Sequence, residues 1–130
     1  MTRVMIAGGH DPVIEQPGFD LLPDAVIDQH FFRRNRTQRL LAVLSRHPDL
    51  IGVGIDEHTA VVVQLRRGHW SVIGQSYVMI CLPTEDRFPR LEILKAGEST
   101  DIEVLKDLPG ATAIQSETFL DTLLGLDGGR

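Results

Sequence analysis

The feature that most constrains the fold is a pair of short β-branched apolar stretches separated by a helical pattern. Ala25-Val26-Ile27 follows a turn signal at Leu22-Pro23-Asp24 and reads as a buried strand. Past Phe32 the spacing changes, and Leu40, Leu41 and Leu44 fall on one stripe of a helix that His47-Pro48 brings to an end. Leu50-Ile51-Gly52-Val53-Gly54-Ile55-Asp56 is a second buried strand, whose two glycines imply that something packs closely on its backbone. Strand, helix and strand within about thirty residues make a βαβ unit with parallel pairing and a right-handed crossover. The expected fold class is therefore α/β.

This geometry sets where chemistry can gather. Ligands of open α/β sheets bind beyond the carboxyl ends of strands, and Asp28, His30, Asp56 and Glu57 all fall at or just past such ends. Side chains alternate along an extended segment, so Asp28 and His30 are expected on one side, able to share a site, with Gln29 and Phe31 on the other. Arg36 and Arg39, three apart, occupy neighbouring positions on one helix face.

The flanking segments are simpler. Met1 to Ala7 is expected to be the tail of a helix ended by Gly8-Gly9, too short to stand alone. His10 to Pro23, with Pro12, Pro17 and Gly18, reads as a loop. After Glu57 come strands at Thr59 to Leu65, Trp70 to Ile73 and Ser76 to Leu82, joined by turns at Arg66-Arg67-Gly68 and Gly74-Gln75 and appended as hairpins to the βαβ unit. Pro83 to Pro89 is a polar loop, Leu91 to Leu94 a short strand and Gly97 to Thr100 a turn. Ile102 to Leu108 suits either strand or helix, Glu117 to Leu124 a closing amphipathic helix, and residues 127–130 a frayed tail.

At 130 residues the chain is expected to form a single domain, 1–130, able to bury a sizeable core. A net charge of -5 disfavours a nucleic-acid surface built on a basic field, so nucleic acid is not an expected partner. Cys81 is the only cysteine, which rules out an internal disulfide framework and suits a reducing cytoplasm. Apolar runs such as Tyr77 to Leu82 are strand-length, so neither a membrane span nor a secretory leader is expected.

Four constellations carry possible chemistry. His30 with Glu57 fits a general base and the carboxylate that orients it, against the alternative of a histidine bonded to a backbone carbonyl beside a solvated acid. Asp28-x-His30 and Asp56-x-His58 pair metal-ligating residue types, but no His-x-x-x-His accompanies them, and neither a metal nor another cofactor is expected. Arg34, Arg36 and Arg39 suit a carboxylate or phosphate receptor, or else a solvated helix start paired with nearby acids. Arginines there oppose the helix dipole, which favours the receptor. Arg33 and Arg66-Arg67 read as surface charge. No serine sits in a strand-to-helix elbow, Gly74-Gln75-Ser76 reads as a hairpin turn, and Cys81, inside an apolar strand, is expected to be inert.

Residues 21–31 (Leu21-Leu22-Pro23-Asp24-Ala25-Val26-Ile27-Asp28-Gln29-His30-Phe31), the spaced Arg34, Arg36 and Arg39-Leu40, and Gly52-x-Gly54-Ile55-Asp56-Glu57-x-Thr59-Ala60 resemble the C-terminal half of cyanophycinase and its serine-peptidase relatives. The likeness is strongest across residues 21–63 and fades after about residue 97. It implies the C-terminal part of a class I glutamine amidotransferase-like α/β sandwich, with His30 as base and Glu57 as the triad acid. Asp28, Gln29, Arg34, Arg36 and Arg39 would line the substrate pocket, Arg36 and Arg39 holding carboxylates and Asp28 a guanidinium. The family implies a homodimer that cleaves cyanophycin, a polyaspartate bearing arginine side chains, into β-Asp-Arg dipeptides. The serine elbow and oxyanion donors of the family's N-terminal half have no counterpart in this sequence. The chain is therefore expected to be a fragment or one half of a split or nicked enzyme, inactive alone, with an open sheet edge that invites a complementary half or a second copy. The alternative expectation is a non-catalytic remnant that binds acidic peptides or dimerises.

Overall fold

The computed structural model of the chain describes residues 3–9, 12–22, 24–86 and 88–107. In chain order its elements are β1 (Val4–Gly8), β2 (Ile14–Pro17), β3 (Ala25–Gln29), α1 (Thr37–Arg46), β4 (Ile51–Ile55), β5 (Thr59–Gln64), β6 (His69–Gly74), β7 (Tyr77–Leu82), β8 (Arg90–Lys95), β9 (Ser99–Asp101) and α2 (Ile102–Asp107). The βαβ unit is present: β3 and β4 pair in parallel from Ala25 opposite Ile51 to Gln29 opposite Ile55, with α1 between them.

The central sheet runs β3-β4-β7-β8, with β7 and β8 antiparallel additions, while β5-β6-β9 form a separate antiparallel sheet. The expected run of appended hairpins is thus divided between two layers. The alternation of β7 shows why: Val78, Ile80 and Leu82 face a core shared with Trp70, Val72 and α2, whereas Met79 and Cys81 face a core shared with Leu40, Val43 and Leu44 of α1. A strand buried on both faces must sit between two layers. The result is helix, central sheet and outer sheet, an α/β sandwich.

Gly52 and Gly54 provide the closest approach. A Cβ on Gly52 would come within 2.6 Å of Leu44 Cδ1, and one on Gly54 within 2.5 Å of the Phe31 ring. The fully buried Phe31 therefore lies on β4 itself, as the glycines implied.

Several boundary expectations are corrected. In place of the expected helix tail, Val4–Gly8 is a strand paired with Ile14–Pro17, and the latter lies inside the segment expected to be loop. Val4 and Ile6 pack against the α1-side core while Met5 between them is exposed, a two-residue period that a helix would not give. Gly9, at φ +76°, serves the turn between strands rather than a helix end. The expected turn at Gly97 to Thr100 runs into β9, which completes the outer sheet, and Ile102–Asp107 is helical. The expected closing helix at Glu117 to Leu124 and the tail after it lie outside the described residues.

The contact between Phe31 and Gly54 gives a direct check. Replacing Gly54 with Ala should destabilise the chain by about 1–3 kcal/mol through overpacking, and Phe31→Leu in the same chain should recover part of that loss. Urea unfolding of the single and double variants measures both. A Gly54→Ala chain as stable as its parent would mean that the ring does not rest on β4.

Candidate functional site

The site is built where β3 and β4 end side by side. Parallel pairing carries the backbone forward from Gln29 opposite Ile55, and the Phe31 N–H still donates to the Ile55 carbonyl at 3.1 Å. His30 lies just past β3 at φ +55°, a left-handed conformation uncommon outside glycine. That residue breaks the alternation. Phe31 consequently turns onto the same helix-facing side as Asp28, which corrects the expectation that the two would face opposite ways.

Asp28 and His30 have different partners. Asp28, 2% exposed, accepts from Arg39 through both carboxylate oxygens, Nε to Oδ2 at 2.8 Å and Nη2 to Oδ1. Arg36 Nη1 adds a longer contact to Oδ1 at 3.3 Å and donates to the Gln29 carbonyl at 2.8 Å. Arg39 itself is 7% exposed, so in this arrangement its guanidinium faces the protein interior. The two arginines act on one carboxylate because Arg36 immediately precedes α1 and Arg39 lies in its first turn. Their positive charge at a helix start, unfavourable alone, is offset by Asp28. Gln29 and Arg34 are exposed nearby.

His30 instead meets Glu57. Its Nδ1 lies 3.3 Å from Glu57 Oε1, with 47% of the His30 side chain exposed against 21% for Glu57. The other oxygen, Oε2, accepts from Arg33 Nη1 at 2.8 Å. Asp56 braces the same region from beneath: Oδ1 accepts from the Arg33 N–H at 3.3 Å and Oδ2 from Ser76 Oγ at 2.6 Å. Thr59 Oγ1 donates to the Glu57 carbonyl and accepts from the Ser76 N–H, each at 3.0 Å. Burial acts to raise the Asp56 pKa, but donors from Ser76 and from the backbone of Arg33, Glu57 and Phe32 outweigh it and hold it below the ordinary 3.8.

Arg33, Ser76 and Thr59 were not recognisable as parts of this network from sequence. Arg33 lies 24 residues from Glu57 and Ser76 lies 20 from Asp56, separations closed by the β3–β4 and β4–β7 pairings respectively. Cys81 is fully buried, and burial pushes its thiol up to about 12, as an inert packed cysteine requires. Among the described residues no three His, Cys, Asp or Glu side chains converge as a metal site would need. No described helix is long and apolar enough to cross a membrane.

Several known proteins are similar to this chain. Cyanophycinases from Trichormus variabilis and Nostoc sp. are each 42% identical to the chain over 92 residues, covering 65% of it. The cyanophycinase of Geminocystis herdmanii is 42% identical over 89 residues, covering 62% of it. Over this stretch the chain is cyanophycinase-like. It spans about 30% of the length of the curated cyanophycinases it matches. No protein-family model matches it. A solved peptidase from an acI-B1 Actinobacterium is 26% identical, with 68% of this chain and 35% of that one covered at a TM-score of 0.44.

The Asp56 brace predicts a definite pH dependence for this cyanophycinase-like chain. Because the folded pKa lies below the unfolded one, the ionised carboxylate stabilises the fold above the ordinary Asp value, and this contribution is lost as pH falls through the folded pKa. Urea unfolding of the parent and Asp56→Asn should show a stability gap that is steady from about pH 7 to 5 and shrinks below about pH 4. A gap that widens on acidification would reverse the assignment.

Proposed function

We propose that this chain carries the general base and its orienting acid for a cyanophycinase-like serine-type exopeptidase, with His30 as base and Glu57 as acid. The observation that carries the reading is the 3.3 Å approach of His30 Nδ1 to Glu57 Oε1 across two adjacent parallel strand ends. A carboxylate at Nδ1 selects the tautomer with its proton there, which leaves Nε2 to take a proton from a nucleophile. Glu57 then stabilises the imidazolium, and Nε2 returns the proton to the leaving amine.

In this reading the nucleophile is a serine contributed from outside the described residues. Among those residues Ser76 Oγ is committed to Asp56 and Ser45 Oγ to the Ala42 carbonyl. The substrate is cyanophycin or a related β-aspartyl-arginine peptide. Gln29, Arg34 and Arg36 are assigned to substrate contact, and Asp28 with Arg39 to the same pocket, where their burial makes them support for Arg36. Among the described residues β3 pairs with one strand, β4, while β1 packs against it, and this sheet edge is assigned to a complementary half or a second copy. A cytoplasmic setting fits the single cysteine.

The test is an assay of the full-length gene product on cyanophycin, reading release of soluble dipeptide. His30→Ala should lower kcat by about 10³-fold or more, and Glu57→Gln by at least ~10²-fold with KM little changed. Retained hydrolysis in His30→Ala would end the peptidase reading. Peptide binding by a full-length protein without hydrolysis would favour the alternative of an acidic-peptide-binding remnant.

A further inference from the structure

We infer that Arg33, read from sequence as plain surface charge, is a positioning residue that holds Glu57 in register with His30. The inference rests on the peptidase reading of that pair. Arg33 sits in the turn between β3 and α1, three residues past His30. Its backbone N–H donates to Asp56 Oδ1 at 3.3 Å, and its guanidinium donates through Nη1 to Glu57 Oε2 at 2.8 Å. One residue of the His30 turn thus grips two consecutive acids at the end of β4. That leaves Oε1 as the oxygen facing His30 Nδ1.

The physical need for such a grip is clear from the surroundings. A glutamate has three rotatable side-chain bonds, and an exposed one samples many rotamers. Glu57 is partly open to water and can swing away from the ring unless something holds the oxygen that His30 does not use. The charged groups around it are Arg33 and His30 from the β3–α1 turn and Asp56 from its own strand end. Among them Arg33 supplies the hydrogen bond to Oε2. A guanidinium suits this task because its planar fork sets a direction as well as a charge.

The opposite view is that a side chain 71% exposed forms an ion pair of no consequence. The two views differ in what happens to the His30 ring. If Arg33 orients Glu57, the neutral ring is held with its proton on Nδ1. If it does not, the Arg33 side chain has no bearing on the tautomer.

The experiment is a long-range proton–nitrogen NMR spectrum of the imidazole rings in the ¹⁵N-labelled chain, recorded with the rings neutral and with His30 assigned through His30→Gln. The parent should show the Nδ1–H tautomer at His30. Arg33→Gln should shift His30 toward the Nε2–H form that free imidazole side chains favour, Glu57→Gln should do the same, and Arg33→Lys should restore part of the parent signature. In the full-length enzyme Arg33→Gln should lower kcat about fivefold, the scale an exposed ion pair supplies, with KM changed by less than about twofold. A His30 tautomer identical in the parent and Arg33→Gln overturns the inference, as does a parent ring already in the Nε2–H form. Activity that survives His30→Ala would end the peptidase reading instead, and the tautomer result separates the two failures.

Discussion

A buried carboxylate engaged by guanidinium groups is the interaction on which the rest of this structure turns. Asp28 is the last inward-facing residue of β3, and its oxygens accept from Arg39 in the first turn of α1 and from Arg36 just before it. Leaving such a charge unpaired away from water is costly, by about 3–5 kcal/mol when one partner is removed. The pair is satisfied only when the start of α1 lies over the end of β3. The seven residues between them, from His30 to Arg36, must then close a short turn, and His30 and Asn35 take up positive φ within it. His30 is thereby held at the strand end.

Glu57 reaches the same place by a different route. Gly52 and Gly54 let Leu44 and Phe31 come down onto β4, which brings helix and sheet close enough for the two strand ends to share one site. Asp56 then ties the His30 turn, through the Arg33 N–H, to Ser76 at the start of β7. Gly74 belongs to the same construction: at φ +117°, a Cβ there would lie 2.2 Å from the His58 carbonyl, so the turns flanking Glu57 and Ser76 interlock only with glycine present. The site is a junction of three elements, and its outermost layer is the Arg33–Glu57–His30 chain of contacts.

What was legible in the sequence was what local pattern dictates. The βαβ unit, the close-packed glycines, the helix stop at His47-Pro48 and the gathering of Asp28, His30, Asp56 and Glu57 at strand ends all follow from periodicity and backbone sterics. The likeness to cyanophycinases is matched by relatives at 42% identity. The failures have equally physical causes. Val4 to Gly8 is too short for its period to separate helix from strand, and its partner Ile14–Pro17 lies in a segment rich in turn residues. The alternation rule failed past Asp28 because it holds only while the backbone stays extended, and His30 leaves that region. The division of the hairpins between two sheets depends on which faces are buried, and sequence spacing does not specify that.

The central claim is that the Asp28–Arg39 pair holds the turn that presents His30. A double-mutant cycle with Asp28→Leu and Arg39→Met, followed by urea unfolding, tests it most directly. The account predicts single-variant losses of about 3–5 kcal/mol and a double variant less destabilised than their sum by about 2 kcal/mol or more, because each single change strands a buried charge and the double change does not. Single losses below about 0.5 kcal/mol that simply add would contradict it, since they would place the pair among surface contacts of no structural weight.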